Sequence, residues 1–290
     1  MNRIPQSLQS LWPHEPRWHE TSAGRMHYVD LGPRDAAPVL LVHGNPSWGF
    51  LWRDLAAELV RRGRRVIIPD HLGMGLSDRP ARLLRLADRI HHLRSLCDAL
   101  HLESIDLGVH DWGGAIGLGL AGEQPGRFRR LLVTNTAAFP SRLIPWRIRL
   151  CRAPVIGRLL VEQLDGFAWP ATWMASERGL PPAVRAGFLA PYSSASRRRA
   201  VADFVADIPL EPTHPSRRTL QGVADRLSVL ADHPILLLWG ARDFCFTLRF
   251  HAAFRRLWPR AQSKVLAQSG HYVLEDSGSE GVRIAADFLA

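Results

Sequence analysis

A chain of 290 residues is long enough to form one large domain with an insertion, or two modest domains. Hydrophobic residues make up 46% and charged residues 22%, a composition that excludes a disordered or fibrous protein. The formal net charge of +10 is almost entirely due to arginine, because Lys264 is the only lysine. The arginines are spread from Arg3 to Arg283, which favours a compositional bias over a functional basic face, and no nucleic-acid motif or internal repeat accompanies them.

Targeting segments and metal motifs are not evident in the sequence. Residues 1–16 contain no apolar run of signal-peptide length. The apolar stretches at 39–42 and 235–239 are far shorter than the roughly 20 residues that a membrane span requires. The three cysteines are widely spaced and form no CxxC pattern, so they predict neither a disulfide framework nor a zinc site. We therefore expect a cytoplasmic protein in a reducing compartment, without a metal or cofactor.

Short apolar runs rich in β-branched residues alternate with helical stretches, such as 50–62 and 87–100. This alternation is typical of an α/β protein with an open, mostly parallel sheet covered by helices on both faces. The predicted strands are 26–31, 39–42, 66–69, 105–109, 131–134, 235–239 and 264–266.

The alternation stops between residues 138 and 215, where Arg, Trp and Pro are frequent and no strand is evident. A break of this length inside a regular sheet protein predicts an inserted cap. The chain then divides into a core formed by 1–137 and 216–290 and a helical cap formed by 138–215. Within the cap, the apolar stretch 144–164 contains interspersed arginines. We interpret it as a lid helix, with a surface that contacts membrane or a partner as the alternative.

Asp111 follows the predicted strand 105–109 and precedes a helical stretch rich in small residues, in the segment GVHDWGGAIG. A sharp turn between a strand and a helix lifts a side chain above the sheet edge, and Gly113 lets the backbones pass closely. Two residues before Asp111, this chain has Val109 instead of a second glycine. The pattern predicts a nucleophile at Asp111, with a simple helix N-cap as the alternative.

The segment QSGHYVLED places His271 in a loop after the last predicted strand. This is the expected place of the general base when the chain order is nucleophile, acid, histidine. Among the other histidines, His43 and His110 are interpreted as structural loop residues.

The acid that orients this histidine is predicted to be Asp243, in the segment GARDFCF after strand 235–239. A carboxylate at this position holds the imidazole in the correct tautomer. The alternative strand end, after 131–134, offers only Asn135, Thr136 and Ala137, none of which is a carboxylate.

An anion site is predicted next to Asp111. His43 and Gly44 begin the loop that supplies one oxyanion-hole amide, and the amide of Trp112 supplies the other. The side chain of Asn45 and the indole of Trp112 add two uncharged donors. Such donors suit a leaving anion, for example a halide or a carboxylate.

At HGNP, HDWGG, WGxRD and GHY the sequence resembles the haloalkane dehalogenase family of α/β-hydrolases, over nearly the whole chain. The resemblance implies the α/β-hydrolase fold, with a mostly parallel sheet flanked by helices and an inserted helical cap. It also implies Asp111 as nucleophile, His271 as base and Asp243 as acid, with Asn45 and Trp112 as the anion-stabilising pair.

Within that family the sequence is most similar to the β-lactone decarboxylases of bacterial long-chain olefin biosynthesis. The similarity lies in WGARDFCFT, in SGHYVLED, and in the cap stretch from PPAVRAGFLAPYSS through ADFVADIPLEPTHPS. It implies a lyase that opens a strained lactone ring and releases carbon dioxide and a cis-alkene. Attack on the carbonyl carbon and attack on the ring carbon that bears oxygen both stay open.

A haloalkane dehalogenase is the alternative, in which Asp111 displaces halide and water activated by His271 cleaves the resulting ester. An epoxide hydrolase is less favoured, because that family activates the epoxide oxygen with two cap tyrosines and only Tyr192 falls in the cap. A ligand receptor with an idle site is a further alternative.

A substrate with two alkyl chains needs an apolar tunnel in the cap. The aromatic side chains predicted to line it, with ordinary cap packing as the alternative, are Trp146, Phe167, Trp169, Trp173 and Phe188. The resemblance also implies partners, because a reactive hydrophobic lactone is better passed between enzymes than released. We expect an assembly with the lactone-forming enzyme, or contact with an anionic membrane.

Overall fold

The computed structural model describes residues 8–290 and contains one sheet of eight strands. Their order across the sheet is β1-β2-β4-β3-β5-β6-β7-β8. Strand β2 runs antiparallel to β1 and β4, and the other neighbouring pairs are parallel. The predicted α/β class with a mostly parallel sheet is therefore confirmed. The strands are β1 (Arg17–Thr21), β2 (Gly24–Leu31), β3 (Pro38–Val42), β4 (Arg65–Pro69), β5 (Ile105–Asp111), β6 (Phe128–Thr136), β7 (Ile235–Gly240) and β8 (Gln262–Leu266).

In the described part of the chain, twelve α-helices accompany the sheet, with short 3₁₀ and π turns between some of them. None of the helices in residues 8–290 is long and apolar enough to cross a membrane. The helices are α1 (Arg53–Arg61), α2 (Leu86–Ala99), α3 (Trp112–Glu123), α4 (Trp146–Cys151), α5 (Ile156–Arg158), α6 (Ala168–Met174), α7 (Pro182–Leu189), α8 (Ala195–Ala206), α9 (Arg217–Arg226), α10 (Leu248–Leu257), α11 (Val273–Ser277) and α12 (Ser279–Leu289).

The core lies on both faces of the sheet, and β3 shows why its strands are continuous apolar runs. Val39 and Leu41 belong to one apolar cluster, whereas Leu40 and Val42 belong to the other. Successive side chains of a strand point to opposite faces, so a strand covered on both sides must be apolar throughout. This is why the central strands were predictable from the sequence.

Strand β1 was not predicted. Its sequence, RWHET, is polar and partly exposed, and it pairs only with β2 at the edge of the sheet. An edge strand is open to solvent and needs no apolar run, which removes the signal used for the other strands. The predicted helix 50–62 also begins differently, with a 3₁₀ turn at Gly49–Trp52 before α1.

All of residues 138–215 are described, and none of them lies in a strand. We call them the cap segment, and their division from the core as a separate domain stays a prediction. The interpretation of 144–164 as one lid helix is wrong, because the stretch breaks at Pro154 between α4 and α5. Proline has no amide hydrogen to continue the helix, and Val155 after it has a φ of 64°, outside the helical region.

Strand register brings the carboxyl ends of β3, β5 and β6 together. Val42 pairs with Val109, so the loop after β3 begins beside the end of β5. Asp111, the last residue of β5, pairs with Thr136 at the end of β6. Side chains at these ends, and in the loops that follow, therefore converge above one edge of the sheet, where open α/β sheets bind ligands.

Candidate active site

Asp111 lies at a strained turn between β5 and α3. Its φ of 51° and ψ of −125° fall in a region that a non-glycine residue rarely adopts, and α3 begins at the next residue. The hydroxyl of Thr136 donates a hydrogen bond to the carbonyl oxygen of Asp111 and fixes the turn. The predicted close approach at Gly113 is present, because a Cβ there would lie 2.1 Å from the carbonyl oxygen of Val42.

Val109, in the place of the second glycine, is accommodated by a glycine elsewhere. A Cβ on Gly117 of α3 would lie 2.7 Å from Cγ1 of Val109, so the missing side chain on the helix makes room for the valine on the strand. Gly114 likewise leaves room for the side chain of Thr136, since a Cβ on Gly114 would lie 1.9 Å from the Thr136 hydroxyl oxygen. The run of small residues in α3 thus permits close packing of the helix against β5 and β6.

The carboxylate of Asp111 is buried and held by main-chain donors. The amide nitrogen of Asn45 lies 2.6 Å from Oδ1 of Asp111, and the amide of Trp112 also donates to this carboxylate. Burial raises the pKa of Asp111 to about 6, although both amides and the nearby His271 oppose the shift. The loop amide comes from Asn45 itself, one residue beyond the two residues predicted to begin this loop.

His271 lies between the two carboxylates that the sequence assigned to it. Its Nδ1 is 2.9 Å from Oδ2 of Asp243, and its Nε2 is 4.0 Å from Oδ2 of Asp111. Burial alone would lower the pKa of His271, but the adjacent Asp243 carboxylate outweighs it and raises the pKa. Burial would likewise raise the pKa of Asp243, and the charge of His271 beside it lowers that pKa instead. The arrangement favours an imidazolium between two carboxylates.

Asp243 is fixed by donors that the sequence analysis did not identify. Oδ1 accepts hydrogen bonds from the amides of Cys245, at 2.6 Å, and Phe246, at 3.0 Å. Oδ2 accepts one from Nδ2 of Asn135, at 2.8 Å. Asn135 also accepts a hydrogen bond from the amide of Gly240 and so ties β6 to β7. It was considered only as a position without a carboxylate. Its place at the end of β6 was the available signal.

The two histidines interpreted as structural make such contacts. Nε2 of His110 lies 2.9 Å from the carbonyl oxygen of His271 and holds the loop that contains it. Burial lowers the pKa of His110 to about 3, so its ring is neutral. Nε2 of His43 accepts a hydrogen bond from the amide of His71, which leaves Nδ1 of His43 to donate to the carbonyl of Gly44.

The side chains of Asn45 and Trp112 both line the cavity above Asp111. Nδ2 of Asn45 donates to the carbonyl oxygen of Val201 in α8, at 3.3 Å, so a helix of the cap segment orients this side chain. The indole of Trp112 packs against the ring of Phe204 from the same helix, with ring centroids 5.4 Å apart. The structure thus brings all five predicted site residues together at one cavity wall or directly behind it.

The cavity has a volume of about 540 Å³ and a mostly apolar lining, and its polar residues include Ser141 and Arg147 as well as Asp111, His271 and the donors beside them. Of the five aromatic side chains predicted to line it, four do so, namely Trp146, Phe167, Trp169 and Trp173. Phe188 does not line the cavity. Its ring stacks on Tyr272, at 4.8 Å, and packs edge-on against Phe50, so the alternative of ordinary packing is correct for this residue.

No tyrosine lines the cavity. Tyr192, the one tyrosine predicted in the cap, is buried, and its hydroxyl donates to the carbonyl oxygen of Ser47 at 3.2 Å. Tyr28 and Tyr272 are also buried and lie outside the lining. Within residues 8–290, no group of three or more His, Cys, Asp or Glu side chains is placed to hold a metal ion.

Residues 37–277 match a family model described as the alpha/beta hydrolase fold, and the chain belongs to this family. A solved structure of haloalkane dehalogenase DbeA from Bradyrhizobium elkani is similar, with a TM-score of 0.85 and 25% identity, over 95% of this chain and 98% of that one. The expected α/β-hydrolase fold is confirmed.

Relatives within this family are more specific. The chain is 40% identical to a cis-3-alkyl-4-alkyloxetan-2-one decarboxylase of Xanthomonas campestris, over 87% of each protein. It is 35% identical to a decarboxylase of the same name from Shewanella oneidensis, over 97% of this chain and 90% of that protein. A haloalkane dehalogenase of Mycobacterium marinum is 32% identical, over 88% and 86%. The resemblance to haloalkane dehalogenase-like enzymes, and among them to β-lactone decarboxylases, is confirmed.

Proposed function

We propose that this chain is a β-lactone decarboxylase that converts cis-3-alkyl-4-alkyloxetan-2-ones into cis-alkenes and carbon dioxide. The proposal rests on the similarity to two decarboxylases of that name at 40% and 35% identity, over most of the chain. The site supports it with a buried carboxylate, uncharged donors and an apolar cavity of about 540 Å³. Small hydrophobic molecules are the substrate class that such a cavity fits.

Asp111 is the proposed nucleophile, and Oδ2 is the attacking atom, because Oδ1 is held by the amide of Asn45. Attack on the ring carbon C4 forms a bond from Oδ2 to that carbon and breaks the bond from C4 to the ring oxygen. The electron pair of the broken bond stays on the oxygen, which becomes part of a carboxylate on the substrate. Relief of ring strain drives this step.

Loss of carbon dioxide completes the reaction. The bond between C3 and the carboxylate carbon breaks, its electron pair forms the double bond between C3 and C4, and the ester oxygen leaves C4 with its own pair. Asp111 is thereby regenerated as a carboxylate, and no water is consumed. Attack at C4 releases a carboxylate, whereas attack at the carbonyl carbon would release a far more basic alkoxide. Uncharged donors match the carboxylate.

The remaining site residues stabilise charge in this proposal. Asn45 and Trp112 donate from their side chains to the carboxylate that leaves C4. His271 acts as an imidazolium, which its raised pKa favours, and Asp243 holds the ring in place through Nδ1. No water has to be activated, so a neutral histidine is not required.

Haloalkane dehalogenase is the alternative, and it is less favoured, because the dehalogenase of Mycobacterium marinum is 32% identical to this chain whereas the two decarboxylases are 40% and 35% identical. In that reaction Asp111 displaces halide, and neutral His271 activates the water that cleaves the ester. An epoxide hydrolase is not supported, since none of the three tyrosines of the chain lines the cavity. A receptor with an idle site is not supported either, because each site position contains a competent residue in contact with its partner.

The partners and the location are also proposals. The reactive substrate favours an assembly with the lactone-forming enzyme, or peripheral contact with an anionic membrane, in the cytoplasm. A nucleic-acid partner is not proposed, because many of the arginines are paired with carboxylates across the surface, as Arg61 is with Glu58.

The deciding experiment supplies the purified protein with a cis-3,4-dialkyl β-lactone and, separately, with a panel of bromoalkanes. Alkene is measured by gas chromatography and bromide in solution, with Asp111→Ala as the control. Rapid alkene formation that the Asp111→Ala variant lacks supports the decarboxylase. Bromide without alkene would assign the protein to the dehalogenases. If neither product forms, the receptor and the epoxide hydrolase would be the alternatives to test next.

A further inference from the structure

Large apolar side chains stand exposed along residues 143–173. We call them the cap lip. Trp146 is 67% exposed, Trp169 is 52% exposed and Trp173 is 53% exposed. Helix α4, which begins at Trp146, contains no buried residue at all. The members of the cap lip are Leu143, Trp146, Leu150, Val155, Ile156, Leu159, Leu164, Trp169 and Trp173.

Part of the cap lip lies at the entrance of the candidate active site, because five of its members are both exposed to solvent and part of the cavity lining. Leu143, Trp146, Leu150, Trp169 and Trp173 also line the cavity in which Asp111 lies. Large apolar side chains that are exposed as a group, rather than singly, mark a surface that contacts something else. A substrate that enters the cavity must pass this surface.

The charged side chains that lie between or next to the cap-lip residues and make no ion pair within the described residues are all arginines. Arg142, Arg147 and Arg149 alternate with its apolar residues, and none of the three has a carboxylate within ion-pair distance in residues 8–290. By contrast, Arg152 and Arg158 in the same stretch pair with Glu211 and Glu162. The guanidinium of Arg147 lies 5.1 Å from the ring of Trp146.

A second cavity of about 380 Å³ adjoins this entrance. It shares Leu143 and Ser141 with the active-site cavity, and its far wall is formed by Arg249 and Arg256 of α10. We call it the arginine groove. Arg249 and Arg256 are seven residues apart and thus two turns apart on one face of the helix. Neither makes an ion pair with a carboxylate in the described part of the chain.

We propose that the cap lip and the arginine groove dock on an anionic lipid bilayer, so that the substrate enters the active site directly from the membrane. The tryptophans insert at the level of the headgroups, and the unpaired arginines bind lipid phosphates. A fluid anionic surface can neutralise all five unpaired arginines of the two preceding paragraphs, because its lipids move to meet each guanidinium. A protein partner would need a carboxylate placed for every one. The inference rests on the proposed function in one respect, namely that the substrate has two alkyl chains.

Co-sedimentation of the full chain with lipid vesicles tests the docking without any substrate. Vesicles of phosphatidylcholine alone are compared with vesicles that also contain phosphatidylglycerol. We expect binding to the anionic vesicles, weakened by salt. Arg249→Glu with Arg256→Glu should lower the partition coefficient by at least about tenfold. Ile156→Ser with Leu159→Ser, two cap-lip residues outside the cavity lining, should lower it by a similar factor.

The matched control is Arg217→Glu with Arg218→Glu, which reverses two arginines on α9 that line neither cavity and make no ion pair within residues 8–290. This control should keep wild-type binding. Absence of binding to anionic vesicles, or equal binding by all variants, would overturn the proposal. The proposal would also be overturned by a stable complex with the lactone-forming enzyme that prevents vesicle binding and is lost in the same variants. Such a complex would assign the surface to a protein partner.

A parallel assay separates this inference from the proposed function. Alkene formation is followed with a short-chain lactone dissolved in water and with a long-chain lactone held in anionic vesicles. The Arg249→Glu, Arg256→Glu variant should turn over the dissolved lactone at the wild-type rate and the vesicle-bound lactone several-fold more slowly. Failure of both lactones in the wild type would contradict the proposed function and leave vesicle binding intact. If the variant turned over both lactones at the wild-type rate, entry from the membrane would be contradicted.

Discussion

The amide nitrogen of Asn45 lies 2.6 Å from Oδ1 of Asp111, so the loop after β3 holds one oxygen of the carboxylate at the end of β5. This contact depends on Gly44, the residue before Asn45. A Cβ at Gly44 would lie 2.0 Å from the same Oδ1, which is closer than real atoms approach. The carboxylate and the loop fit together only because this side chain is missing.

We therefore expect Gly44→Ala to lower the rate of alkene formation by at least about a hundredfold, the typical cost of a lost oxyanion-site donor. The protein should still fold, as measured by circular dichroism and thermal unfolding. Gly126→Ala is the matched control, because a Cβ at Gly126 has no atom within 4 Å. A Gly44→Ala variant with wild-type turnover would contradict the arrangement of the site.

The position of attack can be read from the fate of one oxygen. A lactone labelled with oxygen-18 at the ring oxygen should give labelled carbon dioxide, because attack at C4 keeps that oxygen in the departing carboxylate. Mass spectrometry of the released gas measures the label. Attack on the carbonyl carbon would leave the label on the alkyl carbon, and unlabelled carbon dioxide would refute attack at C4. Asp111→Ala should release no gas above background.

The pH dependence of alkene formation should show an acid limb and an alkaline limb. Burial raises the pKa of Asp111 to about 6, and only the ionised carboxylate is a nucleophile. Activity should thus be lost as the pH falls through about 6, and it should also fall as the pH rises through the raised pKa of His271, because the proposed imidazolium then loses its proton. Bromide release would additionally need neutral His271, whose pKa is raised above its ordinary 6.5. An acid limb above 6.5 without an alkaline limb would instead show that alkene formation needs neutral His271 too.

Asn135 should act as a positioning residue through Asp243. Asn135→Ala removes the donor 2.8 Å from Oδ2 of Asp243 and the acceptor for the amide of Gly240. We expect the free energy of unfolding to fall by about 1–3 kcal/mol, the usual effect of leaving buried polar groups unpaired. The pKa of Asp243 should rise, which weakens its hold on His271 and changes the pH profile. A purely structural role would lower stability and leave the pH profile unchanged.

Phe188 and Trp169 should differ in what their loss affects. Phe188 is buried in an aromatic stack, so Phe188→Ala should lower the free energy of unfolding by about 3–5 kcal/mol. Trp169 is half exposed and lines the cavity, so Trp169→Ala should leave stability nearly unchanged and alter the preferred alkyl-chain length. Thermal unfolding and competition between lactones of different chain length measure the two effects. If Phe188→Ala altered chain-length preference and Trp169→Ala lowered stability, the assignment of Phe188 to packing and of Trp169 to the cavity wall would be contradicted.

The sequence predicted the central strands because they are buried on both faces and therefore continuously apolar. It did not predict β1, an edge strand with a polar sequence, or the break at Pro154 within the cap segment. Both depend on what surrounds the segment: an edge strand needs only one pairing partner, and the stretch around Pro154 is exposed to solvent rather than packed under a second layer.

The candidate site was predictable where chain order fixed it. Asp111, Asp243 and His271 each follow a predicted strand, and parallel strands bring their carboxyl ends together. Asn135 was not identified, because its side-chain amide acts only through the tertiary contact with Asp243. Phe188 was assigned to the cavity because composition gives an aromatic residue but not the direction of its side chain. The catalytic roles themselves stay predictions until the variants are measured.

The hydrogen bond from Asn45 to the carbonyl of Val201 has a consequence for engineering. The cap segment supplies a main-chain acceptor that orients a side chain of the core, so it is more than a replaceable wall of the cavity. Grafting the cap of a relative to change chain-length preference would also exchange this acceptor. A productive chimera must therefore keep the backbone of α8 in register with the loop after β3, whatever side chains it brings.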